Sequence, residues 1–507
     1  MADLSPQNAM AETPSQPVHG TILRLAKSFG VYGSANIGIR ALNFLLVIVY
    51  AHYLQPYDYG LIYMGEIVAS FLVIFAGLAL DSALQRLYFQ HTQDAEELRS
   101  YLGSVVRFGL CWMVLFLGLT LVLGRVIQSH VATHASVPFY PYIAMAIATA
   151  VATQGVQYRL AEYQAARRPR SYVYLSLALA LLTATGCMYG VVIRHAGAIG
   201  MFEGKLAATS VTFLIAAWSM RPFLTARFQW KFVRASLAFS LPLIPHLVMA
   251  SGLIVADRFI LEHYRSLSDV GIYSLAYTFG MVMYLVTQSL SQAWLPMFFD
   301  LAADREKNHL MLGRICSGLT VFLAAIACIG ILLSPLLIHV LLDPGYWAAA
   351  RIVPLVVMGY LFHALFSLFD LSILQAKRTA SVFLISVVAF AVNVALNFAM
   401  IPRWGIYGAA WATTLAYAVE AAGAFLLAQR SFPLLYRVPE ILAGIAVAGG
   451  ALWFTQWTWA PKWQGLAMIT ALILALGMLA LLGRHDLQSA FLIMRAKRNH
   501  ASTTPNT

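Results

Sequence analysis

Long apolar stretches alternate with short polar breaks along most of the chain. A helix needs roughly 20 apolar residues to cross about 30 Å of hydrocarbon. Stretches of that length run over 29–52, 60–84, 101–124, 139–160, 171–193, 197–219, 234–256, 271–297, 311–341, 350–374, 380–401, 405–429, 438–459 and 464–483. The last two are separated only by a Trp-rich segment between Trp453 and Trp463. Backbone groups in lipid must be satisfied within their own segment, which selects helices; a membrane barrel would show shorter alternating segments. The pattern predicts an all-α, polytopic membrane protein of about 14 spans.

Two short matches recur at nearly equal offsets. Asp58, Tyr59 and Gly60 enter the second span, and Asp269, Val270 and Gly271 enter the eighth, 211 positions later. Gly197–Gly200 opens the sixth span and Gly405–Gly408 the twelfth, 208 positions later. These offsets make spans 1–6 and 7–12 parallel pseudo-repeats, two six-helix lobes around a central cavity, with two C-terminal helices appended. The expected organisation is a disordered N-terminal tail over 1–28, an N-lobe over 29–232, a C-lobe over 233–430, appended helices over 431–483 and a basic tail over 484–507. Pro242 and Pro245 interrupt the seventh span and are hinge candidates, because proline removes a helix hydrogen bond.

Composition agrees with the pattern: 60% of residues are hydrophobic and 11% charged, against about 25% charged in a soluble domain. Charge then sets the orientation. With the N-terminus inside, inside segments hold 23 Lys and Arg and outside segments 7, leaving Arg40, Arg107 and Lys205 within spans. That asymmetry places both termini in the cytoplasm. The net charge of +12 is spread over these loops and does not form a nucleic-acid surface, so no nucleic-acid partner is expected. No cleavable signal peptide is recognised at the polar N-terminus. The four cysteines, Cys111, Cys187, Cys316 and Cys328, all fall in spans and read as small core residues.

The sequence shows no nucleotide-hydrolysis motif. Gly200, Gly204 and Lys205 have neither the spacing of a phosphate-binding loop nor its Ser or Thr. No nucleophile–base constellation and no metal-ligand spacing emerge, so neither catalysis nor a cofactor is expected. Ionisable residues inside spans cost roughly 2.5–3.5 kcal/mol on insertion scales and tend to face a polar cavity. The cavity candidates are Arg40, Glu66, Asp81, Arg107, Lys205, Asp257, Arg258, Asp370 and Glu420. Arg40 lies halfway along the first span, where it either pairs with an acid such as Glu66 or Asp81 or faces a substrate. A guanidinium suits an anionic substrate, because its fork binds phosphate bidentately. Asp257 and Arg258 end the seventh span, where solvation is the simpler reading. His363, also in a span, reads as a buried neutral histidine making one hydrogen bond.

Several stretches carry a family resemblance over roughly residues 25–430. They are Tyr53–Gly60, Gly77–Arg86, Phe239–Pro245, Asp257–Leu261, Asp269–Tyr273, Asn393–Asn397 and Ile401–Thr413. In combination and order they resemble the bacterial polysaccharide-biosynthesis flippases, the Wzx-like branch of the multidrug/oligosaccharidyl-lipid/polysaccharide exporter superfamily. The resemblance implies a flippase for undecaprenyl-diphosphate-linked oligosaccharide in the bacterial inner membrane, similar in fold to the lipid II flippase. It implies a cationic cavity for the diphosphate, and Asp81, Arg86, Asp257 and Arg258 match positions in the family's pattern. The implied partners are the lipid-linked oligosaccharide, the bilayer and polysaccharide polymerase or export proteins. A multidrug antiporter of the same superfamily, or a non-transporting component of an export complex, is the alternative.

Overall fold

The structure, a computed structural model, describes residues 38–131, 137–303, 305–457, 468–478 and 480. The tails expected over 1–28 and 484–507 lie outside these residues. Among the described residues every regular element is helical. The helices are α1 (Gly38–Ala51), α2 (Pro56–Gly77), α3 (Leu80–Leu87), α4 (Ala95–Val131), α5 (Ala144–Ala165) and α6 (Pro169–Met188). They continue with α7 (Gly197–Ser219), α8 (Arg221–Leu224), α9 (Trp230–Ser240), α10 (Ile244–Tyr264), α11 (Leu267–Ala302) and α12 (Arg305–Leu341). The last five are α13 (Ala349–Gln375), α14 (Thr379–Trp404), α15 (Ile406–Ser431), α16 (Val438–Trp457) and α17 (Met468–Met478).

Eleven of the described helices are long and apolar enough to cross a membrane. Each overlaps one of the expected stretches. The three other stretches hold α1 and α17, apolar but shorter over the described residues, and α9 with α10. The expected seventh span is divided: Leu241–Leu243 form a 3-10 turn around Pro242 between α9 and α10. Pro242 cannot donate the backbone hydrogen bond that a continuous helix would need.

The expected span 60–84 is also divided. Leu78 and Ala79 adopt left-handed φ values of 50° and 51° and separate α2 from α3. For L residues this conformation costs about 1–2 kcal/mol each. Neighbouring contacts hold the break in place. The Tyr158 hydroxyl donates to the Gly77 carbonyl at 3.3 Å, and a Cβ at Gly77 would lie 2.9 Å from the Gln154 side chain.

The pseudo-repeat is visible in the packing. α2 packs on α5, α5 on α7 and α6 on α7; in the second half α11 packs on α13, α13 on α15 and α14 on α15. Helix ends repeat as well. Gly197 and Gly405, at the starts of α7 and α15, have φ of 60° and 57°. Arg167 and Lys377, after α5 and α13, have φ of 54° and 59°. The following amides close matching turns, from Arg168 to the Tyr163 carbonyl and from Arg378 to the Ile373 carbonyl.

The halves meet through α2 and α11. Each of these helices starts with an aspartate at its third position. The Gln55 amide donates to Asp58 at 3.1 Å, and the Ser266 amide donates to Asp269 at 3.4 Å. The reciprocal bond at the second start runs from the Asp269 amide to the Ser266 hydroxyl, at 3.2 Å. Both aspartates also complement the positive end of the helix dipole. α13 carries apolar residues around its circumference, with His363 and Asp370 set among them, and is buried along most of its length by α11, α12 and α15.

Candidate functional site

Polar side chains inside this apolar bundle gather on both sides of the α2–α11 seam. On the first side, α2, α5 and α7 line an open cavity of about 390 Å³. Thr149, Thr153 and Gln157 recur at four-residue spacing and therefore share one face of α5. Gln154 joins them, and Glu66 and Ser70 face them from α2. Ala69, Ala146 and Ala150 leave the space open. α7 contributes Phe202 and Lys205, and Lys205 forms an ion pair with Glu66. The lysine and glutamate side chains remain 26% and 41% exposed, so the pair is reachable from the cavity. Gln154 donates to Asp81 at 3.2 Å, which ties the cavity wall to α3.

The second side carries two clusters. Asp257 and Arg258 of α10 form an ion pair at 2.9 Å, and the Tyr273 hydroxyl donates to Asp257 at 2.6 Å. The Arg258 guanidinium lies 4.6 Å from the Tyr277 ring centre. Asp257 and Arg258 are only 5% and 8% exposed, so the pair is buried against α11 rather than solvated. Deeper in the same half, His363 of α13 lies 3.5 Å from Glu420 of α15, which also accepts from Ser386 at 3.0 Å. The Asp370 Oδ1 atom is buried near them without a hydrogen-bond partner.

The two sides are joined at the seam. The hydroxyls of Tyr63 on α2 and Thr278 on α11 hydrogen-bond at 2.8 Å. Tyr63 precedes Glu66 by one helical turn, and Thr278 follows Tyr277 directly.

Other candidates stay apart. Arg40 is exposed on α1 and shows no hydrogen bond or ion pair among the described residues. The acids considered as its partners are engaged elsewhere, Glu66 with Lys205 and Asp81 with Gln154. Arg86 is exposed on α3. Arg107 is committed to the chain itself: it donates to the carbonyls of Gly103 and Ala226 and packs against the Phe228 ring. Pro242 and Pro245 flank the boundary between the 3-10 turn and α10.

The uncharged lining of the cavity was not anticipated from sequence. Thr, Ser and Gln in spans usually bond their own helix, and only the spacing of positions 149, 153 and 157 marks a common face. The pair Arg159–Glu162 was also missed; its side chains are 8% and 7% exposed, although the arginine looks like an ordinary loop charge. No group of three or more His, Cys, Asp or Glu side chains among the described residues is arranged to hold a metal ion.

A 20% identical relative from Haemophilus influenzae, Lsg locus putative protein 1, aligns over 294 residues, 56% of this chain and 68% of the relative. The fold is similar to the lipid II flippase MurJ in an inward closed conformation, with a TM-score of 0.68 and 17% identity over 90% of this chain and 99% of that one. It is also similar to an inward-facing multidrug resistance transporter of the MATE family, with a TM-score of 0.59 and 12% identity over 83% and 99% of the two chains. The family model for polysaccharide biosynthesis proteins matches residues 25–302, more than half of the sequence, and the chain belongs to that family.

Proposed function

We propose that this protein is a flippase that moves a polyprenyl-diphosphate-linked oligosaccharide from the cytoplasmic to the outer leaflet of the bacterial inner membrane. The observation that carries the reading is the cavity between α2, α5 and α7. Hydroxyl, amide and charged groups line a space inside helices that otherwise face lipid or apolar core. Polar groups at membrane depth are costly, and a polar cargo gives them a purpose. Family membership supports a role in exopolysaccharide, capsule or O-antigen biosynthesis.

In this reading the lobes 29–232 and 233–430 rock about the α2–α11 seam, and the turn at Pro242 and Pro245 absorbs the bend. The 23-to-7 distribution of basic residues puts the start of α2 and of α11 at the outer face. In this reading the seam closes the outer side, and the cargo loads from the inner side. Arg40, exposed and free of an acidic partner among the described residues, is the group suited to the diphosphate. Polymerase and export proteins would receive the product.

The test is outward transport of a labelled polyprenyl-diphosphate oligosaccharide in proteoliposomes, for intact protein and for Arg40→Ala. Transport by the intact protein that is lost in the folded variant supports the reading in full. Transport that survives keeps the flippase and moves the diphosphate site elsewhere. No transport of any such lipid by folded, intact protein overturns the flippase in favour of a small-molecule exporter of the same fold.

A further inference from the structure

We infer that the cavity between α2, α5 and α7 is a subsite for the sugars of the cargo, and that the Glu66–Lys205 pair sets it for uncharged ones. The inference rests on the flippase reading and adds which part of the cargo this cavity takes.

The hydrogen-bonding state of the lining decides between sugar and phosphate. Ser70 donates its hydroxyl proton to the Ile67 carbonyl, Thr149 to that of Met145 and Thr153 to that of Thr149. Each of these hydroxyls has spent its one proton and retains lone pairs. Gln154 gives one amide N–H to Asp81 and keeps its second N–H and its carbonyl oxygen for a ligand. The hydroxyls of the wall therefore accept hydrogen bonds, while the amides of Gln154 and Gln157 both donate and accept. A diphosphate offers only acceptor oxygens and would meet these hydroxyls and the Glu66 carboxylate, with the Lys205 charge already balanced. A sugar offers many hydroxyl donors and meets its complement. Phe202, buried against Gly65, closes the apolar margin of the cavity. At about 390 Å³ the space falls within the range of small-molecule sites, about 300–1,000 Å³.

The ion pair adds selection by charge. Lys205 and Glu66 sum to zero, and both face the cavity. A sugar hydroxyl can donate to the carboxylate while a neighbouring hydroxyl accepts from the ammonium. A uronate would be drawn to Lys205 and repelled by Glu66; an unacetylated amino sugar would meet the reverse. Removing one charge should therefore admit the sugar that carries the charge removed, and removing both should restore neutrality.

Binding tests this without transport. Three short-chain polyprenyl-diphosphate trisaccharides would be titrated onto protein in nanodiscs by thermophoresis: one of neutral hexoses, one with a single hexuronic acid and one with a single unacetylated amino sugar. Intact protein should prefer the neutral trisaccharide. Glu66→Gln should shift the uronate-to-neutral affinity ratio upward by on the order of tenfold, the scale on which charge juxtaposition discriminates partners. Lys205→Gln should do the same for the amino sugar. The double variant should return to the neutral preference; each single variant is read on its own charged sugar, so the other decides where one fails to fold. Ratios unmoved in all variants overturn the subsite while leaving the flippase standing. Failure of all three lipids to bind the intact protein overturns both.

Discussion

Gly60 and Gly271 lie across the seam from each other, each against the backbone of the other's helix. A methyl group on Gly60 would collide with the Leu267 carbonyl, and one on Gly271 with the Pro56 carbonyl. Positions 56 and 60 plus 211 are 267 and 271, so the contact is its own mirror under the pseudo-repeat. The offset read from two weak tripeptides therefore marks the point where the halves touch. Gly60→Ala should push α2 and α11 apart and favour separation of this end. In a background without the native cysteines, Thr278→Cys should then react faster with a membrane-impermeant maleimide, by on the order of tenfold for each 1.4 kcal/mol of bias. An unchanged rate would mean that the seam absorbs the methyl group without opening.

A hydroxyl seals the same end. Tyr346 donates to the Leu54 carbonyl at 2.7 Å, and burial pushes its phenol above the usual value. The raised folded-state value means that the stabilisation is present below the unfolded tyrosine value of about 10 and is lost as pH rises beyond it. Tyr346→Phe should cost about 1 kcal/mol at neutral pH. Stability of the variant, followed by thermal unfolding in detergent, should also fall less steeply than that of the intact protein above pH ~10. Equal slopes would assign the alkaline loss to other groups.

Gly405 has φ 57° and ψ −132°, a region that a Cβ strongly disfavours. The Arg265 side chain packs beside it while donating to the Pro402 carbonyl at 3.0 Å. Gly405→Ala should destabilise by about 1–3 kcal/mol. Gly423→Ala, where the added atom makes an ordinary contact of 3.5 Å with Ile385, should cost less. Thermal unfolding of the two variants side by side checks this, and equal losses would contradict it.

Asp257 and Arg258 test what a buried pair contributes. Asp257→Asn removes a carboxylate held by a guanidinium and a phenol, and should cost about 3–5 kcal/mol. Asp257→Asn combined with Arg258→Gln should cost less than the sum of the single changes, because the charges are coupled. Strict additivity would mean that each side chain is stabilised independently of the other.

The fold was largely legible because membrane burial writes itself into composition and segment length. The breaks were less so. Leu78 and Ala79 turn left-handed just after Gly77, although neither residue is itself one that favours that conformation. Arg167 and Lys377 end their helices in the same way at an offset of 210, yet as basic residues they read only as topology signals. The candidate site was legible as a set of charges and not as pairs. Glu66 meets Lys205 across 139 positions, while Arg107 turns back to a carbonyl at Ala226. Which charge meets which depends on helix packing, and the pattern along one chain does not contain it.

Arg40 and Lys205 carry the same charge and should respond oppositely to removal. Arg40 is exposed and has no partner among the described residues. Arg40→Ala should therefore leave thermal stability within about 0.5 kcal/mol of the intact protein. Lys205→Ala strands Glu66 beside a cavity inside the bundle, and a carboxylate without its cation costs more there than at an exposed surface. Its loss should reach about 1–3 kcal/mol, and Lys205→Ala with Glu66→Gln should recover part of it. If Arg40→Ala also abolishes transport, the loss cannot be charged to folding, and the guanidinium is assigned to the cargo. If instead Arg40→Ala destabilises as strongly as Lys205→Ala, Arg40 is held by a contact in the folded protein, and its place in the diphosphate site is withdrawn.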